Sequence, residues 1–293
     1  MRKLLFVLLI LLCCTQVHGQ LLWKVSGKGC YESSYLFGTL HLETGEFIDS
    51  VPGLAKAIEN VDVIFGEIEG NDLTSMGSMM QMVKEATAPA DSTIDKLLSP
   101  DDYRMVDAVV KKYMFGFGLK ELGALKPAII TAQLSVMQMQ EFYSNNLDPT
   151  NLIDVAVQKR GVALGKRVDG LESVEDQMAA LFGAPLLEQA EDLVDFCRKD
   201  GEFGNSSRQL YEAYRAQDLA AIEKIVFDPE IGMDEAEMDR LSYNRNRKWM
   251  DKITQTIPVQ RVLVAVGAAH LVGEQGLIKL LRSRGYKVES VLD

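Results

Sequence analysis

An α/β fold is predicted, with a mostly parallel or mixed central sheet, flanking helices and a helical middle insertion, and three features of the sequence predict it. A strand, a helix and a second strand follow one another between Ser34 and Phe65. That is the pattern of a βαβ unit with a parallel strand pair and a right-handed crossover. Val262 to Val266 is an unbroken apolar run, as expected of a strand covered on both faces. Between these strand-bearing ends, from about residue 72 to 160, the apolar spacing is helical.

The elements run in order along the chain. Leu21 to Val25 is a short apolar segment, and after Gly27 and Gly29 the stretch Ser34 to Leu36 leads into Phe37-Gly38-Thr39-Leu40-His41-Leu42. Pro52 with Leu54, Ala57 and Ile58 predicts a helix that feeds the strand Val61 to Phe65, which ends at Gly66-Glu67. Thr74 to Ala86 carries Met76, Met79, Met80, Met82 and Val83, read as adaptable packing that can also line an apolar groove for a peptide or lipid. Ser99-Pro100-Asp101-Asp102 combines a capping hydroxyl, a proline at the first helical position and a carboxylate three past the cap. Pro127 to Phe142 is a further helix, followed by a loop with Asn145, Asn146 and Pro149 and a helix over Leu152 to Lys159. A strand is expected near Arg167 to Leu171, and Ser173 with Asp176 starts the next helix. Helices then fall at about 186–199, 206–216 and 218–226. Asp234 and Glu237 cap a long helix running to about Gln255. Gly276 to Arg284 is amphipathic, Gly285 sits where a left-handed C-terminal cap belongs, and Tyr286 to Leu292 alternates like a final strand.

Composition sets the broad class. The chain has 293 residues, 47% of them apolar and 25% charged, the usage of a globular protein with a full-sized core. No linker rich in Pro, Gly or Ser divides residues 20–293, which read as one domain. A net charge of −11 argues against nucleic acid and anionic membrane surfaces as partners. Residues 1–19 read as an export signal: Arg2 and Lys3, the apolar run Leu4 to Leu12, then Val17-His18-Gly19 before a cut at Gln20. The run is too short to span a bilayer, so the expected mature protein is periplasmic or extracellular with no transmembrane segment. Cys13 and Cys14 leave a lipoprotein as the alternative, although Leu12 stands where a small residue is wanted. Cys30 and Cys197 then remain, with a disulfide between them left open. The absence of close thiol spacing argues against a redox motif or a thiolate zinc site. There is no GxSxG for a serine hydrolase and no glycine-rich phosphate loop.

The histidines carry the functional signal. Of three, His18 belongs to the leader, and the other two share one context: Phe37-Gly38-Thr39-Leu40-His41-Leu42 and Val266-Gly267-Ala268-Ala269-His270-Leu271. Each is an apolar strand, a glycine, two residues, then His-Leu. On parallel neighbouring strands both imidazoles emerge over the carboxyl ends, where open α/β sheets bind ligands. Glu67 reaches the same rim from the strand ending at Gly66. Two imidazoles and a carboxylate suit a divalent metal with an open coordination position, one of Mn, Co, Zn or Fe. The opposing reading is that each histidine packs beside its strand with a satisfied ring nitrogen.

Supporting residues have their own alternatives. Glu67 is a ligand or a general base, or else bonds a neighbouring loop, and Glu43 is either a partner of His41 or a solvated loop acid. Glu172 satisfies helix amides or orients a histidine. Arg245 fills the missing step of an apolar helix stripe through Met238, Leu241, Trp249 and Ile253, so it pairs with Glu172 or Glu67, or recognises a substrate carboxylate or oxyanion. Asn246 is adjacent and is expected to point elsewhere, towards a cap or loop.

These residues resemble the TraB/GumN (pheromone-shutdown, PrgY-like) family, which also contains TIKI-type proteases. The resemblance runs through Tyr35 to His41, the strand ending in Glu67, Gly170-Leu171-Glu172, Gln177, Arg245-Asn246, Val266 to Leu271, Gly273, Gly276 and Leu280 to Tyr286. It implies a fold related to the ChaN and erythromycin-esterase proteins, with the two GxxH histidines and the early glutamate forming a metal-dependent hydrolytic site. The expectation is a secreted hydrolase acting on a peptide or protein substrate. The competing expectation is a non-catalytic haem, iron or peptide-binding module on the same scaffold.

Overall fold

Strands with no polar face lie in the middle of the sheet, and strands bearing charge close its edges. A computed structural model describes residues 20–70, 75–140 and 148–292; the leader, Thr74, Phe142, Asn145 and Asn146 lie outside the described residues. The strands are β1 (Leu22–Ser26), β2 (Ser34–Thr39), β3 (Val63–Gly66), β4 (Arg167–Gly170), β5 (Val262–Gly267) and β6 (Lys287–Ser290). They form one sheet in the order β4-β3-β5-β2-β1-β6. The pairs β4–β3, β3–β5 and β5–β2 are parallel, whereas β1 runs antiparallel to both β2 and β6, so the sheet is mixed. Every residue of β3 is buried, as is β5 from Val262 to Val266, which matches strands covered on both faces. β6 exposes Lys287 and Glu289 at one edge and β4 exposes Arg167 at the other, which discourages pairing with another chain.

Helix α1 (Leu54–Asn60) crosses from β2 to β3 and passes over the position of β5. Next along the chain are α2 (Met76–Ala86), α3 (Ile94–Leu97), α4 (Pro100–Tyr113), α5 (Leu119–Leu122), α6 (Pro127–Gln140) and α7 (Ile153–Ala163). After β4 come α8 (Val174–Phe182), α9 (Leu186–Arg198), α10 (Glu202–Arg215) and α11 (Leu219–Val226). Then come α12 (Glu235–Met238), a π turn over Asp239–Tyr243, α13 (Asn244–Thr256) and, beyond β5, α14 (Leu277–Ser283). The expected caps form: Ser99, Ser173 and Asp234 each accept from a backbone amide three residues on, and Gly285 takes φ +89.

Two apolar cores result. The larger joins the sheet to α1, α7, α13 and α14 through residues such as Leu54, Val157, Trp249 and Leu277. Full burial of such a side chain contributes about 1.5–3 kcal/mol. The smaller unites Ile94, Val106, Val110, Leu119, Ile130 and Leu134 with Leu193, Val194 and Cys197. The helical part therefore divides differently from the expected 72–160 insertion. Helix α7, inside that range, packs on the sheet, and α9, beyond it, completes the second core. Apolar spacing marks a helix without saying which neighbour covers it. Cys30 and Cys197 are both free thiols and belong to different cores, which closes the disulfide question. Burial pushes the Cys197 thiol up to about 12. Among the described residues no helix is long and apolar enough to cross a membrane.

Candidate metal centre

Parallel register brings the carboxyl ends of four strands to one edge: Thr39 pairs with Gly267, and Gly66 with Gly170. The turns leaving these strands form the site. The amide of Glu172 donates to the carbonyl of Glu67 at 3.0 Å and holds the β3 and β4 ends together. Gly38 lets the two GxxH turns pack, because a Cβ there would stand 3.1 Å from the Ala268 Cα. Gly267 has another use. A Cβ on it would lie 3.4 Å from Glu67 Oε1, 3.6 Å from His41 Nε2 and 3.7 Å from His270 Cδ2. Its missing side chain leaves one small space faced by both imidazoles and the carboxylate. They converge without closing: among the described residues no group of three or more His, Cys, Asp or Glu side chains is arranged to hold a metal ion.

His270 is only 5% exposed, at the end of the 3-10 turn Ala268–His270. Asn246 Nδ2 donates to the carbonyls of His270 at 3.0 Å and Gln275 at 2.9 Å, which fixes its Oδ1 as an acceptor. That oxygen lies 2.8 Å from His270 Nδ1, so Nδ1 carries the proton and Nε2 keeps a lone pair. Ser242 Oγ stands 3.4 Å from the same Nδ1, and Trp249 packs on the ring at 4.5 Å between centroids. Burial pushes the imidazole down to about 3, so it is neutral at physiological pH.

His41 is held differently. Its Nδ1 lies 3.1 Å from Asp154 Oδ2, and Thr39 Oγ1 donates to Asp154 Oδ1 at 2.5 Å. Asp154 raises the His41 imidazole to about 9, although the side chain is 67% exposed and water screens the pair.

Arg245 ties the acids together. Nη2 donates to Glu67 Oε2 and to Glu172 Oε1, each at 2.6 Å, and Nε donates to Glu172 Oε1 at 3.0 Å. Nη1 donates to the Leu241 carbonyl at 2.9 Å and lies 3.1 Å from His270 Nε2. Glu67 Oε2 also accepts from Gln177 Nε2 at 3.0 Å, and Glu67 Oε1 from the Gly267 amide at 2.8 Å. Burial opposes the charge on Glu67, but the pull of His270, His41 and Arg245, with the Gly267 amide, holds its carboxyl well below the usual range. Burial has the upper hand at Glu172 and raises it despite Arg245. Trp249 Nε1 donates to Glu172 Oε2 at 3.1 Å.

The paired reading of Arg245 therefore holds with both acids at once. Asn246 does not point away: with Arg245 it grips both nitrogens of the His270 ring, and it also binds the loop at Gln275. Glu43 is neither a partner of His41 nor solvated. It is 3% exposed, and its Oε2 accepts from Arg215 Nη1 at 3.1 Å. Asp154, Thr39 and Ser242 were not legible as site residues, because each is an ordinary residue in its own segment and gains meaning only across the sheet edge.

The donor set fits a cation in three respects. Both histidines present Nδ1 to an oxygen acceptor and leave Nε2 for a ligand, the usual arrangement around a bound ion. Two carboxylates, Glu67 and Glu172, share one guanidinium, and a third, Asp154, meets His41, so acid exceeds base around the space. The space itself exists because Gly267 lacks a side chain. Arg245 Nη1 must give up His270 Nε2 for that nitrogen to ligate.

An α/β sheet with two GxxH turns meeting over its carboxyl edge defines the class of site. The chain belongs to the TraB/PrgY/gumN family, whose pattern it matches over residues 21–290. It is similar to Metalloprotease TIKI2 of Danio rerio, with 21% identity over 322 aligned positions that cover 92% of this chain and 60% of that protein. It is likewise similar to the Metalloprotease TIKI homolog of Amphimedon queenslandica, with 21% identity over 318 positions, 91% of this chain and 60% of that protein. The chain thus spans about 60% of the length of these relatives. No solved structure matches it.

Proposed function

We propose that the protein is a metal-dependent hydrolase acting on peptides, on a scaffold of the ChaN and erythromycin-esterase type. The observation that carries this reading is the common space at Gly267, faced by His41 Nε2, Glu67 Oε1 and the His270 ring. His41 and His270 would hold one ion of Mn, Co, Zn or Fe, with Glu67 as ligand or proton acceptor. Such an ion supplies Lewis acidity to a carbonyl oxygen and acidifies water. Glu67 is poised for either role: it is held ionised, with Oε1 facing the space and Oε2 anchored by Gln177 and Arg245. Arg245 and Glu172 fix Glu67 and keep the cation-accepting charge in place. The names of the TIKI metalloproteases support the hydrolytic reading. We also propose export through residues 1–19, for which intact-mass analysis should show Gln20 at the start.

The activity is tested by stripping the protein with chelator and restoring Mn, Co, Zn or Fe singly. Turnover of an unbiased peptide library is then followed by mass spectrometry, with esters as controls. His41→Ala and His270→Ala should lower metal occupancy and turnover together. Glu67→Gln separates its two roles: a base variant keeps the metal and loses about 10²–10⁴-fold in rate, whereas a ligand variant loses occupancy as well. Metal-loaded protein that cleaves nothing, yet binds haem or a peptide tightly through the same histidines, would establish a binding module instead.

A further inference from the structure

The loop after β2 and the start of α7 are stitched together. The Ile153 amide donates to the Glu43 carbonyl at 2.8 Å, Thr44 and Leu152 form an antiparallel bridge, and Asn151 Nδ2 donates to Glu46 Oε1 at 2.8 Å. Gly45 permits this approach, since a Cβ there would stand 2.5 Å from the Ala156 Cβ. The first turn of α7 is thereby fixed beside His41. Asp154 in that turn does not cap its own helix; both its oxygens are directed across to β2 and its loop. Thr39, 1% exposed, holds one oxygen, and the other meets His41 Nδ1.

We infer that Asp154 is the positioning residue of the metal centre: it sets His41 as the Nδ1–H tautomer and turns Nε2 towards the space at Gly267. This rests on the metal reading of the site. His270 is fixed by packing and by a neutral amide, but the exposed His41 ring depends on the carboxylate for its orientation. A carboxylate acceptor also makes the imidazole a stronger electron donor to a cation than an amide does. Thr39 acts one step further out, by keeping Asp154 from turning to solvent.

Outside residues 1–19 the chain has only His41 and His270, so nitrogen NMR of histidine-labelled, metal-free protein resolves both rings. At pH 10, with His41 neutral, the wild type should show a protonated Nδ1 and a bare Nε2 at His41. Asp154→Ala should shift that ring towards the Nε2–H form that free imidazole prefers in water, and leave His270 unchanged. Zinc affinity, measured at pH 9 by chelator competition, should fall about 10–100-fold in Asp154→Ala, the usual cost of removing such a partner. Asp154→Asn should recover part of the loss, because its oxygen can accept from His41 while its amide donates to Thr39. Circular dichroism on each variant confirms that folding is kept. An unchanged His41 tautomer, or wild-type zinc affinity in Asp154→Ala, would overturn the inference. A wild type that binds no zinc while His41 remains Nδ1–H would sink the metal reading rather than the pairing of Asp154 with His41.

Discussion

The two histidines of the centre come from the same short pattern and end in opposite surroundings. His270 is 5% exposed, packed against Trp249 at a tilt and gripped by Asn246, Ser242 and Arg245. The His41 side chain is 67% exposed and held through Asp154 and Thr39. One half of the site is finished by the core and the other by the surface. The difference teaches that the buried half supplies a rigid lone pair, while the open half is reached by solvent, so on the proposed reading an ion and a substrate would enter from that side.

The largest effect should come from the group that braces the buried half. Arg245→Ala leaves Glu67 and Glu172 buried without their cation, and chemical denaturation should show a loss of about 3–5 kcal/mol. The histidines themselves should then separate. At about pH 10, where His41 is neutral, His270→Ala removes a packed, hydrogen-bonded ring and should cost about 2–3 kcal/mol, whereas His41→Ala should stay within about 0.5 kcal/mol. Equal losses in the two variants would erase the contrast between the halves.

Acid–base linkage separates the halves again. His270 lies at about 3 and is already neutral, but Asp154 raises His41 to about 9 in the metal-free protein. Below that value each bound ion must displace one proton from His41. Apparent metal affinity should therefore rise by about tenfold per pH unit from pH 7 towards 9 and level off above it. Calorimetry in buffers of different ionisation enthalpy counts the released proton, and the count should fall to zero in His41→Ala.

Gly267→Ala should change stability least. Its φ of −49 suits alanine, and the new methyl would meet its neighbours at ordinary contact distances, so the denaturation midpoint should barely move. The methyl would nevertheless fill the space between the two imidazoles and Glu67. Metal binding should be lost in a protein that remains fully folded.

Much of this frame was legible in the sequence because it is local. The apolar run Val262 to Val266, the repeated GxxH and the gap filled by Arg245 in an apolar stripe can each be read within a few residues. What remained hidden depends on contacts between distant segments. Asp154 sits in the first turn of a helix whose polar and apolar residues are spread all round it, and only contacts with the distant loop after β2, such as the pairing of Leu152 with Thr44, carry it to His41. Asn246 was misplaced for a related reason. Neighbouring helix positions point about 100° apart, yet the His270 ring lies so that Arg245 reaches one nitrogen and Asn246 the other. The π turn over Asp239–Tyr243, just before them, has no clear local signature.

The central claim is that His41 and His270 serve one ion. X-ray absorption spectroscopy of zinc-loaded protein counts the imidazoles around the metal. Two should be found in the wild type, and one or no bound zinc in either His41→Ala or His270→Ala. A zinc site with no imidazole, or an unchanged spectrum in either variant, would contradict the account.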